Sequence, residues 1–445
     1  MSRYETYKPS GIDWIGNYPK HWEFRRLKNV CIVNKEALTD KTPFDYLIEY
    51  IDIGNTTDNG EFLELQEIEF SEAPSRARRK VEDGDTIIST VRTYLRAIAF
   101  IENPKENLIV STGFAVLNPI KRTLVPKFLF YQVLCDSFIQ RVIANSEGVS
   151  YPAISSTKLA DLKLFIPSVE EQLTIANYLD DQTQKIDRLI TNKKAQAEKL
   201  KELRQIEINN AVTKGLNPNA EMKDSGIEWL GKIPKHWTTK RMKDVASVRG
   251  RIGFRGYTVD DIVDEGALVI GAKHINSSNQ LNFGDPEYIT WEKYYESPEI
   301  MVEVGDVLIV QRGSVGKFAL VEKEIGPATI NPSMILLRLN TRIHPQFLFW
   351  YLLGEHMFNI IKTIVSSTAV PMISQMQAGV FRIILPPKKE QIEIANYLIQ
   401  RSTAIDQLIK NIEAQIEKLQ ELRKIKIYEA VTGKIKVNAY AETTA

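Results

Sequence analysis

The sequence predicts an α+β chain in which two similar α/β globules are separated by an antiparallel pair of long helices, related by a pseudo-twofold axis. Three observations predict it. The stretch from Glu170 to Val212 returns after Pro386 at a constant offset and without a gap, sharing EQ, IANYL, ID, LI, EKL, ELR and AVT. A second repeat opens each half: KPSGIDWIGNYPKHWEFRRLKNV from Lys8 to Val30 and KDSGIEWLGKIPKHWTTKRMKDV from Lys223 to Val245. Between the two repeats, each half runs through the same order of strand-like and helical segments with different residues.

In chain order, residues 1–22 form a conserved opening segment. Its Trp14 and Trp22 sit among Gly and Pro, as Trp229 and Trp237 do in the second copy, which predicts a turn-rich loop pinned by burial of the rings. The first globule spans 23–166. Short strand-like runs such as TIIST, AIAFI and FAVLNPI alternate with Gly, Pro and Asn turns, and the helical piece PKFLFYQVLCDSFIQRVI follows.

The first long helix covers 167–215. From Glu170 to Val212 it holds neither Pro nor Gly, and its apolar residues recur at heptad-like spacing. At about 1.5 Å per residue, roughly 43 residues reach about 65 Å, too far to lie across one small domain. The seam predicted for this helix is Ile175, Leu179, Ile186, Leu189, Leu200 and Leu203. For its partner it is Ile394, Leu398, Ile405, Leu408, Ile412, Leu419 and Leu422. Gln196 and Gln415 fall on the seam as register-setting polar residues.

After the repeated segment at 216–237, the second globule spans 238–385 with VLIVQ, FALVE, MILLRLN and PQFLFWYLLGEHMFNIIKTIV. Gly84-Asp85 answers Gly305-Asp306, Phe128 and Phe130 answer Phe347 and Phe349, and YPAIS answers VPMIS. The second long helix covers 386–433, and 434–445 is a tail. A chain order of globule, helix, globule, helix closes most simply when the second helix returns alongside the first.

Composition narrows the function classes. The 445 residues are 43% hydrophobic and 25% charged, as in soluble globular proteins, which excludes disordered and fibrous classes. Two cysteines, Cys31 and Cys135, make no disulfide framework, and with five His and no CxxC a metal site is not expected. The start MSRYETYKPSG has no apolar signal region and no run spans a bilayer, which points to the cytoplasm. A net charge of +1 does not advertise a nucleic-acid binder, so DNA contacts would come from local patches or a more basic partner.

The loop Gln311-Arg312-Gly313-Ser314-Val315-Gly316-Lys317 lacks the four residues between glycines, and the Ser/Thr after Lys, that a P-loop needs. Nucleotide binding is rejected there. Arg312, Ser314 and Lys317 remain candidates for a nucleic-acid backbone, with a solvated hairpin tip as the alternative. In the first globule a strand is expected to carry Thr90, Arg92, Tyr94 and Arg96, with alternate residues on one cationic and aromatic face. Basic Arg76, Arg78, Arg79 and Lys80 lie just upstream. The second globule offers Arg249, Arg251, Arg255, Lys273 and His274. No motif for S-adenosylmethionine, acyl transfer or zinc hydrolysis is present, and Asn331-Pro332-Ser333-Met334 lacks the second Pro and the aromatic of a methyltransferase motif.

With GIDWIGNYPKHW and GIEWLGKIPKHW opening two variable regions, and FIPSVEEQLTIANYLD and ILPPKKEQIEIANYLI opening two conserved helical regions, the chain resembles the specificity subunit of Type I restriction-modification systems over nearly its whole length. The resemblance implies two target recognition domains that each read one half of a split site in double-stranded DNA, with the helix pair setting the spacer. It implies two modification subunits that methylate adenine with S-adenosylmethionine, and restriction subunits that use ATP and Mg. No cofactor is implied for this chain, and it is expected not to be an enzyme. The alternatives are a coiled-coil assembly scaffold indifferent to DNA and a self-contained DNA methyltransferase.

Overall fold

A computed structural model of the chain describes residues 2–13, 15–56, 62, 65–227, 230–251, 256–366 and 371–437. Trp14, Trp229 and Arg255 lie outside the described residues. The chain forms two compact units, Met1–Lys194 with Ala414–Ala445, and Ala195–Glu413. The helices are α1 (Pro126–Leu134), α2 (Asp136–Ala144), α3 (Ser156–Asp161), α4 (Val169–Lys214), α5 (Trp291–Tyr295), α6 (Pro345–Leu352), α7 (Glu355–Ser366), α8 (Gln375–Val380) and α9 (Lys388–Val431). The unit boundary crosses both α4 and α9, so each unit owns a piece of each.

In the first unit, Glu23–Arg26 pairs antiparallel with Lys163–Ile166, which brings the two ends of the globule together just before α4. Between them lie two four-stranded sheets. One is antiparallel in the order Cys31–Val33, Phe114–Pro119, Thr86–Ser89, Ile98–Phe100. The other is mixed in the order Gln66–Glu69, Leu47–Ile51, Leu108–Ser111, Ala77–Lys80, with Leu108–Ser111 parallel to Leu47–Ile51. Side chains alternate across a strand. Ile88, Ala115 and Leu117 therefore face α1, α2 and the long helices, while Ile87, Phe114 and Val116 face Ile51, Leu108 and Val110 of the mixed sheet. Both faces being buried explains why adjacent residues of this strand, Ile87 and Ile88, are both apolar.

The second unit repeats this plan. Thr238–Arg241 pairs with Arg382–Leu385. One sheet runs Ala246–Arg249, Met334–Leu339, Val307–Val310, Phe318–Leu320, and the other Ile262–Val263, Tyr288–Ile289, Ala267–Ile270, Ala328–Ile330, again with one parallel pair. Val307, Ile309, Ile335 and Leu337 join the helical core, whereas Leu308, Val310 and Leu336 join the second sheet.

The motifs shared by the long helices have structural work in each unit. Gln172 is fully buried; its side chain accepts from Val125 N at 2.8 Å and donates to Thr123 O and Pro167 O, both at 3.0 Å. Gln391 repeats this with His344 N at 2.7 Å, Arg342 O at 3.1 Å and Pro386 O at 2.8 Å. Arg423 donates to Asp187 at 3.0 Å in the first unit, and Arg204 lies 3.4 Å from Asp406 in the second. Both helices end on a left-handed glycine, Gly215 and Gly433, whose added Cβ would meet Trp237 at 3.0 Å or Trp22 at 3.2 Å. Trp22 and Trp237 are themselves fully buried.

Within each unit α4 and α9 run antiparallel. In the second unit Arg204 meets Asp406, and Glu207, further along α4, meets Arg401, further back on α9. The buried stripe differs in part from the predicted seam. Ile175, Leu179, Ile186, Ile394, Leu398, Ile405 and Ile412 are buried, and Leu200 and Leu419 half-buried, but Leu189, Leu203, Leu408 and Leu422 are 40–51% exposed. The stripe instead uses Ile190, Ala197 and Ile409, and takes in Thr183 and Ser402. Gln196 and Gln415 are exposed, off the seam by one position.

Candidate nucleic-acid interface

The strand Thr86–Ser89 ends before the residues expected to continue it. Arg92 (φ 50, ψ 49) and Arg96 (φ 54, ψ 31) are both left-handed and flank a single 3-10 turn, Thr93–Leu95. Thr90, Arg92, Tyr94 and Arg96 therefore do not share a strand face. Thr90 is buried, its hydroxyl donating to Gly113 O at 2.9 Å, and Thr93 is buried against Ser146. Left-handed backbone costs a non-glycine residue about 1–3 kcal/mol and persists where surroundings over-determine it. Here the surroundings are a bridge between Val91 and Ala153, and Ile154 N–H donating to Thr90 O at 2.8 Å.

The loop brings Arg92 over the ring of Tyr151 at 4.8 Å, with Tyr94 52% and Tyr151 64% exposed. Val91, Leu95 and Val149 are exposed around them. A cation stacked on one aromatic and flanked by another is a surface that can meet phosphate, a guanine edge or a base face. Arg96 is turned to other use, paired with Asp136. The sequence reading missed Tyr151 and Val149; the available signal was YPAIS, whose Ala153 holds the loop.

Upstream, the basic run is mostly engaged within the unit. Arg76 pairs with Asp52, Arg78 stacks on Phe70 at 4.6 Å, and Lys80 lies 3.9 Å from Glu36. Arg79 is half-buried, its Nη2 donating to Thr112 O at 3.5 Å, and burial lowers its pKa.

In the second unit the equivalent loop follows Val307–Val310. Ile373 N–H donates to Gln311 O at 3.0 Å, and Arg312 bridges to Met372, matching the Ile154 and Ala153 contacts of the first unit. Gly313 and Gly316 take φ of 81° and 89°, so this loop turns with glycines where the other uses arginines. Arg312 and Ser314 are exposed, while Lys317 is half-buried and donates to Ile275 O at 3.2 Å. Arg249 is exposed at the end of the strand Ala246–Arg249.

Three further candidates are corrected. Arg251 is buried, donating from Nε to Ile330 O at 3.1 Å and from Nη2 to Thr329 Oγ1 at 3.0 Å. His274 is buried, with Nδ1 accepting from Gly271 N–H and Nε2 donating to Asp285 O, both at 3.0 Å. Lys273 pairs with Asp285 at 2.9 Å. Arg251 and His274 fasten the second sheet to its loops rather than offering themselves to a ligand, whereas Lys273 stays exposed in a surface ion pair. Among the described residues no cluster of His, Cys, Asp or Glu could hold a metal ion.

Each unit thus carries an equivalent candidate loop, of unlike chemistry on a matching support. The profile described as the Type I restriction modification DNA specificity domain matches residues 19–199 and again 234–418. The MjaVIII specificity subunit of a type I restriction enzyme from Methanocaldococcus jannaschii is 24% identical over 343 residues, covering 74% of this chain and 75% of its own. Among solved structures, the chain is similar to one from work on complex assembly and conformational transition of the type I R-M system, at a TM-score of 0.75 and 22% identity, with 94% of this chain and 99% of that one covered. The HsdS subunit from Thermoanaerobacter tengcongensis matches at a TM-score of 0.53 and 22% identity, covering 94% and 98%.

Proposed function

The chain belongs to the Type I restriction-modification DNA specificity family and is a non-catalytic specificity subunit with two target recognition domains; from that premise we propose that each domain reads one half of a bipartite site in double-stranded DNA. The domains would be 23–166 and 238–385, with 167–215 and 386–433 setting the unread spacer. The observation that carries this reading is the pair of equivalent loops, at 90–96 and 311–317, which share backbone anchors and differ in every exposed side chain.

Arg92 and Tyr94 are the contacts proposed for the first domain, with Tyr151 behind them; Arg312, Ser314, Lys317 and Arg249 are those for the second. A chain that carries the same domain twice suits two identical methyltransferase subunits, and restriction subunits would join that assembly. S-adenosylmethionine, ATP and Mg would be used by those partners, and none by this chain. Partners closing around the duplex would supply the basic surface that a net charge of +1 withholds. No described helix is long and apolar enough to cross a membrane; a subunit that reads cellular DNA would act in a prokaryotic cytoplasm.

Sequencing the methylome with and without the gene tests the reading. Loss of one bipartite motif on deletion is expected. Unchanged methylation, or turnover by the purified chain alone, would defeat it.

A further inference from the structure

Beyond the reading loops, each unit has a cationic cleft where the end of that loop, the elbow between two short helices and a long helix meet. In the first unit the cleft, about 210 Å³, is lined by Arg96, Lys194, Arg423 and Lys424, with the α1–α2 elbow at Cys135. Its two carboxylates are already engaged, Asp136 with Arg96 and Asp187 with Arg423. Lys194 and Lys424 are left as exposed ammonium groups with no ion pair among the described residues. Over an apolar floor containing Ile190 and Ile427, the cleft therefore carries positive charge in excess.

The second unit has a cleft in the equivalent place, about 520 Å³, at the α6–α7 elbow. Arg204 lines it at the position in α4 that Arg423 holds in α9, and Ile208 stands where Ile427 does. Its other cations are Lys317 and Lys362, and no carboxylate lines it. Arg204 and Lys317 hold the positions of Arg423 and Arg96, whereas Lys362 comes from α7 where Lys194 and Lys424 come from the long helices, so part of the positive charge is kept by residues that the repeat does not account for. Lys194 and Lys424 in one cleft and Lys362 in the other, without an ion pair among the described residues, stand beside arginines whose charge is already balanced, and like charges so gathered repel one another, a cost that a bound anion removes.

We infer that these clefts are backbone-phosphate sites, which take phosphodiesters of the unread spacer next to each half-site. The inference rests on the proposed DNA reading and adds to it that the long helices grip the duplex. Lysine point charges and an arginine fork hold phosphate without reading sequence.

The test uses the full chain assembled with its methyltransferase subunits and a duplex carrying the methylome-defined motif. Affinity is measured from 50 to 200 mM salt for wild type, Lys194→Gln with Lys424→Gln, and Lys362→Gln. Each lost phosphate contact is expected to reduce the slope of log affinity against log salt by about 0.9, which is about eightfold in affinity at 0.1 M relative to 1 M. The half-site motif should not change, and neither should the unfolding midpoint, because these lysines are exposed.

Duplexes with neutral methylphosphonates in the spacer should cost the wild type the same factor and the matching variant nothing further. An unchanged salt slope overturns the inference, as does a methylphosphonate penalty that persists in full in the variant. So does binding of inorganic phosphate in the clefts, lost in the variants, while the DNA slopes stay the same: the sites would then serve a free anion. If wild type shows no preference for its motif, the DNA-reading proposal fails instead, whatever the slopes.

Discussion

If the long helices set the spacer, lengthening both should lengthen the spacer and leave the half-sites alone. The unit boundary falls at 194/195 in α4 and 413/414 in α9, so four residues added at both places, near Asn192 in α4, extend the paired segment without unpairing either unit. Four helical residues add about 6 Å and turn the helix about 400°, some 40° past a full turn. Along DNA, about 6 Å is nearly two base-pair steps of about 3.4 Å, and each step turns the duplex by about 35°. Translation thus asks for nearly two added base pairs and rotation for about one, so a spacer longer by one or two is expected. Ala- and Glu-rich inserts keep the helix intact. Methylome sequencing of cells carrying the variant gives the new motif directly. An altered half-site, or an unchanged spacer in a folded variant, would refute the ruler.

Arg92→Ala should relax one half of the motif only, removing the ~1–3 kcal/mol that a mismatched base pair costs there; equal loss at both halves would show a general role. Asp187→Ala should cost about 1–3 kcal/mol in urea unfolding, because Arg423, with its side chain 12% exposed, loses two hydrogen bonds. Asp406→Ala should cost under about 1 kcal/mol, since its Arg204 contact is longer and more exposed. Burial pushes Asp85 up to about 6 despite bonds from Glu82 N–H and Asn118. The folded state then binds the extra proton, so stability falls as pH rises from about 4 through 6, by at most about 3 kcal/mol, and Asp85→Asn should flatten that slope. In the second unit burial depresses His356 to about 4, so stability held above pH 6.5 should be lost as pH falls toward 4.

The fold was legible where the sequence repeats itself. EQ, ID, ELR and AVT announced two long helices before their roles were known; those roles depend on partners far along the chain, as Gln172 does on Val125 and Asp187 on Arg423. The buried stripe passes one position beyond Leu189, Leu203, Leu408 and Leu422, which are apolar but face outward. The actual stripe includes Thr183, Ala197 and Ser402, which hydropathy does not mark. At the candidate loop, positive φ at Arg92 and Arg96 has no sequence signature for a non-glycine residue, so the sequence predicts strand alternation where the chain turns. Arg251 and His274 looked available because only the fold reveals the carbonyls of Ile330 and Asp285 that bury them.

The same contacts make each head a closed cassette, and that has a consequence for exchange. Glu23 pairs with Ile166, and Thr238 with Leu385, so the ends of each head are adjacent and of matching geometry. The clamp from the long helix reaches backbone groups only, Val125 N and Thr123 O in one unit, His344 N and Arg342 O in the other, and so does not depend on the head's sequence. Residues 23–166 grafted in place of 238–385 should therefore fold on the second unit's scaffold and bring their half-site with them. One contact does not transfer: Tyr131 donates to Asp180 at 2.6 Å, and the position equivalent to Asp180 in α9 is Ile399. The graft should lose about 1 kcal/mol there, and Ile399→Asp should restore it. A folded graft should methylate a motif in which the first half-site replaces the second. One that keeps the second half-site would place recognition in the helices, and the heads would then need another role.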